Sequence, residues 1–99
     1  MDVKIKAIHF DVSEKLVTFI NKKVEKICRH IEGSVDVEVT LKVVKPETTM
    51  NKDAGIKFIS PAYGDLFASK TADTFEEAID ISLEAIEKQI EKQKEKAKK

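Results

Sequence analysis

The chain has 99 residues, with 18 Lys or Arg set against 18 Asp or Glu, so its formal net charge is zero. That length makes one domain, 1–99, and the 41% of apolar residues supplies a modest two-layer core and exceeds what a disordered chain carries. No apolar stretch approaches the ~20 residues of a membrane span. The alternating Met1-Asp2-Val3-Lys4-Ile5-Lys6 contains no apolar signal segment. The single Cys28 excludes an internal disulfide and fits a reducing compartment, so a cytoplasmic protein with no membrane partner is expected.

Residues 2–9 place Val3, Ile5 and Ala7 on one side and Lys4 and Lys6 on the other, which predicts a short strand with one wet face. Ser13 is placed to cap a helix, since its side-chain oxygen can accept from the free amides of the first turn. Leu16, Ile20, Val24, Ile27 and Ile31 follow at helical steps, with Gly33 as the expected stop. Residues 35–43 alternate strictly, Val35, Val37, Val39, Leu41 and Val43 against Asp36, Glu38, Thr40 and Lys42, and form the clearest strand in the chain. Residues 45–53 read as a polar loop. Residues 55–60 and 65–70 read as two strands joined by the turn Pro61-Ala62-Tyr63-Gly64, a hairpin. Asp73 precedes Glu76 at the spacing of a capping box. Phe75, Ile79, Leu83, Ile86 and Ile90 then mark a second helix. Its last turns, about 92–99, keep helix-forming residues but no apolar stripe and are expected to project into solvent and fray. The order β-α-β-β-β-α is an α+β pattern, a four-stranded sheet with both helices on one face. If the first two strands are parallel neighbours, the helix between them makes a right-handed crossover.

Neutrality conceals an uneven distribution. Residues 13–30 carry Lys15, Lys22, Lys23, Lys26 and Arg29 against Glu14 and Glu25, a net +3. Residues 31–84 sum to −6, and residues 85–99 return to +3 through Lys88, Lys92, Lys94, Lys96, Lys98 and Lys99. At about 100° per residue, Lys15, Lys22, Lys26 and Arg29 lie opposite the apolar stripe of the first helix, with Lys23 at the margin. Phe19 points outward among them. A ring so placed can stack on an unpaired base amid phosphate-binding charges; ordinary exposure or packing against a loop is the simpler account. On the second helix Lys88, Lys92, Lys96 and Lys99 run opposite Ile79, Ile86 and Ile90, beside a stripe of Glu84, Glu91 and Glu95. Taken singly, each stripe is a solvated helix face with ion pairs of ~0.3 kcal/mol. Side by side, the two outer faces would merge into one basic surface suited to a polyanion.

Catalytic chemistry has little to work with. Cys28 and His30 are two apart, and no second pair completes a zinc site. Cys28 sits at the edge of the apolar stripe, where a small packed residue is expected. His30 and His9 have no evident catalytic partner, the three glycines are too sparse for a phosphate loop, and Glu76 and Glu77 stand at a helix start, where the dipole favours acids. No enzyme, no metal, no cofactor and no small-molecule substrate are expected.

The segment Ser69-Lys70-Thr71-Ala72-Asp73-Thr74-Phe75-Glu76-Glu77-Ala78-Ile79-Asp80, followed by Ile86-Glu87-Lys88-Gln89-Ile90, resembles the ribosome hibernation-promoting factor and ribosome-associated translation inhibitor family, in its short single-domain form. That family has an "A-D-D-hydrophobic-Y-x-A-I-D" helix start and a later "L-E-R-Q-L". The run from Val12-Ser13-Glu14-Lys15-Leu16 to Lys23-Val24-Glu25-Lys26-Ile27 is similar to its first helix, and element order and length agree over almost the whole chain. Glu76 stands where the family usually has Tyr, Ala85 stands where a Lys usually precedes "L-E-R-Q", and Glu77, Asp80 and Glu84 make the start of the second helix acidic.

The resemblance implies a double-stranded-RNA-binding-like sheet with two parallel helices on one face. It implies binding to the small ribosomal subunit and its rRNA in the messenger and transfer-RNA channel, translation inhibition in stationary phase and stress, and a free protein that is monomeric. Lys23, Lys26 and Arg29 match basic positions of the family's first helix, Lys88 and Lys92 match positions in and after "L-E-R-Q-L", and Lys70 matches a basic residue ending the last strand. With Lys22 from the same outward face, these are the candidate rRNA-binding residues, and Phe19 is the candidate stacking residue. The alternative is a small protein-interaction or general RNA-binding module without ribosome preference.

Overall fold

The computed structural model describes residues 2–8, 10–31, 33–44 and 51–97, with side chains as far as Glu95. The element order is β1 (Asp2–Ala7), α1 (Glu14–Cys28), β2 (Asp36–Val43), β3 (Lys52–Ser60), β4 (Gly64–Ala72) and α2 (Phe75–Ala97). Expectations about His9, about residues 45–50 and about the side chains of Lys96, Lys98 and Lys99 fall outside the described residues.

The four strands form one sheet in the order β1-β2-β3-β4. β1 runs parallel to β2 and the other neighbours are antiparallel, so α1 is the connection that parallel neighbours require. Following the chain, α1 and α2 both run against the direction of β1 and are therefore parallel to each other. Register sets the faces. Val3, Val37, Phe58 and Leu66 form one cross-strand row, and Ile5, Val39, Ile56 and Ala68 form another. These rows meet Leu16, Ile20, Val24 and Ile27 of α1 and Ala78, Ile79, Leu83, Ile86 and Ile90 of α2 in one apolar core. The apolar positions expected to face inward do so because period-two strands and period-3.6 helices present single stripes.

Several boundaries differ from expectation, each for a local reason. β3 begins at Lys52 rather than 55, because Lys52 and Asp53 pair on both sides, with Val43 and Lys42 of β2 and with Ala72 and Thr71 of β4. Polar side chains do not prevent a central strand from satisfying its backbone. α1 ends at Cys28, and the next residues form tight turns with His30 N–H donating to Ile27 O (3.0 Å) and Ile31 N–H to Cys28 O (3.1 Å). Gly33, at φ +87°, therefore turns the chain after the helix rather than ending it. Ser13 caps α1 as expected, its Oγ accepting from Leu16 N–H at 3.1 Å. The cap of α2 is Thr74 rather than Asp73: Thr74 Oγ1 accepts from Glu77 N–H at 3.1 Å. The hairpin turn is as expected, with Ser60 Oγ accepting from the amides of Ala62 and Tyr63 and Gly64 at φ +74°.

Two further contacts fix α2. Ser82, fully buried, donates from Oγ to Ala54 O on β3 at 3.0 Å. Gln89 Nε2 donates to Phe67 O at 2.8 Å and so covers part of the outer edge of β4. Phe10, before α1, stacks on Phe75 at 5.0 Å between centroids and ties the β1–α1 connection to the first turn of α2. α2 stays helical to Ala97.

Candidate polyanion-binding surface on the helical layer

The helix layer carries most of the candidate site residues. Its sequence logic is simple. α1 commits one stripe to the core and leaves Lys15, Lys22, Lys23, Lys26 and Arg29 exposed. Arg29 Nη2 donates to Glu25 Oε1 one turn back at 3.2 Å, an exposed pair that yields readily to another partner. Lys23 faces α2: its Nζ lies 3.4 Å from Asp80 Oδ1 and 5.5 Å above the ring centroid of Phe19. Phe19 itself is half-buried and packs against the core. The ring expected to project among lysines is instead packed, with one lysine over it, because its flank of α1 is the one that approaches α2.

Between the helices runs an open groove of about 650 Å³, lined on the α1 side by Lys23, Lys26 and His30. The α2 side presents Asp80, Glu84, Glu87 and Glu91, with Lys94 at the far end and Ile27, Leu83 and Ile90 along the floor. These four acids recur at helical spacing and form a ridge. Lys88 and Lys92 do not line the groove; at about 100° per residue they lie on the outward face of α2, opposite its core stripe. Lys70 is exposed on β4, level with Ala54 and Leu41 on the helix-bearing side of the sheet.

The structure thus brings Lys22, Lys23, Lys26 and Arg29 together on α1. It places Lys88 and Lys92 on the outward face of α2 and Lys70 on β4. The acidic ridge separates the two groups, so the outer faces of the helices do not merge into one basic surface. Glu84 and Glu91 were visible as a stripe from their spacing, but its orientation toward α1 depends on how the helices pack. Extending the same count to Asp80 and Glu87 would have exposed the full ridge.

Cys28 is half-buried, and burial pushes its thiol pKa above the ordinary value, which disfavours the thiolate. Among the described residues no group of His, Cys, Asp and Glu is arranged to hold a metal ion. No described helix is long and apolar enough to cross a membrane. What the α1 surface can do chemically is neutralise phosphates: four cations stand within about two turns, Lys23 paired with Asp80 and Arg29 with Glu25, while no ion pair among the described residues involves Lys22 or Lys26.

The sequence profile of a family described as Sigma 54 modulation protein / S30EA ribosomal protein matches residues 3–98. A search among curated proteins finds no match. Among solved structures, the N-terminal domain of Protein Y from Thermus thermophilus is similar at a TM-score of 0.79 and 18% identity, covering 93% of this chain and 98% of that one. A ribosomal subunit interface protein from Coxiella burnetii is similar at a TM-score of 0.78 and 17% identity, covering 95% of this chain and 98% of that one. At these identities the two likenesses establish the fold.

Proposed function

The chain belongs to the Sigma 54 modulation protein / S30EA ribosomal protein family, and on that premise we propose that it is a ribosome hibernation factor. It binds the small ribosomal subunit in the channel used by messenger and transfer RNA and stops translation by filling that channel. The action is steric, with no catalytic step, and takes place in the cytoplasm under stress and in stationary phase, by a protein that is monomeric when free. The observation that carries this reading is the one-sided cationic face of α1, where Lys22, Lys26 and Arg29 stand exposed on a helix whose opposite stripe is fixed in the core. A rigid helix holds these charges at set spacing, so they can meet successive phosphates while the folded body supplies the fit to the channel.

In this proposal Lys22, Lys23, Lys26 and Arg29 form the principal rRNA contact. Lys70, Lys88 and Lys92 form a second contact on the other side of the acidic ridge. Phe19 supports Lys23 from below and does not stack on a base. The test is cosedimentation with purified small subunits over a salt series. Binding weakens as salt rises, and the joint variant Lys22→Glu, Lys23→Glu, Lys26→Glu and Arg29→Glu loses it, with each charge removed lowering the slope of log K against log salt by about 1. Binding that ignores both salt and charge reversal would refute this electrostatic account.

A further inference from the structure

The two edges of the sheet are finished differently. The outer edge of β4 is partly covered by Gln89 of α2, whose Nε2 donates to Phe67 O at 2.8 Å. β1 stands at the other end of the strand order, with β2 as its single neighbour among the described residues. Asp2 N–H donates to Val35 O at 3.2 Å and Ile8 N–H to Leu41 O at 2.9 Å, and in a parallel ladder such donors fall at every second residue. The N–H and C=O groups of Val3, Ile5 and Ala7 therefore point away from the sheet, and among the described residues no hydrogen bond reaches them. The strand has no proline, glycine or bulge to blunt this edge. Its inward side chains Val3 and Ile5 are only half-buried, whereas their row partners Val37 and Val39 on β2 are each 1% exposed. The cover over the core thins toward β1 and leaves an apolar rim beside the free backbone groups.

We propose that β1 accepts an added antiparallel strand from another protein, an extended segment with acids at two alternate positions and β-branched apolar residues between and after them. Recognition of this kind takes its affinity from main-chain hydrogen bonds and its specificity from alternate side chains, and antiparallel pairing is the more stable per residue. Side chains of a strand stand above and below the sheet, so a strand at the outer edge meets the same positions of β1 that β2 meets. On the inner edge Val3, Lys4 and Ile5 lie beside Val37, Glu38 and Val39. The outer edge presents the same apolar–cationic–apolar run, and Lys6 extends it. Neither Lys4 nor Lys6 is in an ion pair among the described residues. The complement, read antiparallel from Lys6 back to Asp2, is Glu-Val-Glu-Val-Lys, with an opposite charge directly across from each charged residue. A second copy of β1 fits poorly: pairing centred on Lys4 sets that lysine against itself, and pairing centred on Ile5 sets Lys4 against Lys6 twice. A nucleic acid offers no alternating amides and carbonyls to match the free ladder groups. None of the α1 cations takes part, so this edge is a separate site that does not depend on the ribosomal reading.

The probe is the end-capped peptide Thr-Glu-Val-Glu-Val-Lys-Thr, with Thr-Lys-Val-Lys-Val-Glu-Thr as its charge-reversed counterpart. Each is titrated into the full chain and followed by amide chemical shifts and hydrogen exchange. The first peptide should shift the amides of β1 and slow exchange at Val3, Ile5 and Ala7. It should bind about tenfold tighter than the second, because three cross-strand charge pairs change sign between them. Lys4→Glu with Lys6→Glu, both on the wet face and outside the core, should reverse that preference. Val3→Pro removes an outward N–H without breaking the ladder to β2 and should weaken both peptides. Shifts confined to the helices would overturn the proposal, as would equal binding of the two peptides by the parent. Protection of Val3, Ile5 and Ala7 that grows with protein concentration in the absence of peptide would also overturn it, by making β1 a contact between copies of the chain.

Discussion

A serine in the middle of an apolar helix stripe needs a partner, and Ser82 finds it in Ala54 O at 3.0 Å. The bond joins α2 to a central strand inside the core, where an unsatisfied carbonyl is costly. Ser82→Ala should lower stability by about 1 kcal/mol in urea unfolding, and Ser82→Leu by more, because the fully buried site has no room for the added carbons. The caps make a parallel pair: Ser13→Ala and Thr74→Ala should each cost about 1 kcal/mol. The periodicity of α2 marked its core positions but said nothing of Ser82, since a polar residue beside Leu83 reads equally as surface until the neighbouring strand is known. The shift of the cap from Asp73 to Thr74 has a similar origin. Both residue types cap helices, and only the backbone path decides which oxygen reaches a free amide. Cys28 offers a check on burial: with its thiol pKa pushed up, it should react with a small alkylating reagent at pH 8 more slowly than free cysteine. A rate equal to that of free cysteine would contradict the packing given for this end of α1.

At the level of elements, the two helices have opposite electrostatic characters on the flanks that meet. α1 brings Lys23, Lys26 and His30, and α2 brings Asp80, Glu84, Glu87 and Glu91. The ridge repels the same phosphates that α1 attracts. Replacing it by amides, Asp80→Asn, Glu84→Gln and Glu87→Gln together, should therefore tighten binding to small subunits and steepen its salt dependence. Unchanged affinity would show that RNA stays clear of the groove. Loss of the Lys23–Asp80 pair should change stability by less than about 1 kcal/mol, since both side chains are near half exposed. Helix and strand identities followed from the residue spacing because each element has one buried face. The meeting of flanks did not, because it depends on the rotation of each helix about its axis, which the sheet sets through residues such as Ser82 and Gln89. β3 began earlier than its polarity suggested for a related reason: strand pairing on both sides satisfies Lys52 and Asp53 whatever their side chains.

For the whole molecule, a net charge of zero describes no part of the surface. One helix is cationic, an acidic ridge runs beside it, and the far face of the sheet mixes four lysines with five acids around an exposed phenylalanine. Family membership over residues 3–98 and the agreement of fold with the two solved relatives fit the architecture expected from the residues. The same expectation treated both helices as one basic surface, and the packed molecule divides it. A protein acting by occupancy must compete with whatever already fills its site, and that competition bears on the central claim more directly than affinity alone. The decisive measurement is binding of the protein to small subunits that are empty, compared with subunits loaded with messenger and a P-site transfer RNA. Strong binding to empty subunits and at least tenfold weaker binding to loaded ones is the predicted result. Equal binding to both would place the protein outside the channel and contradict the account.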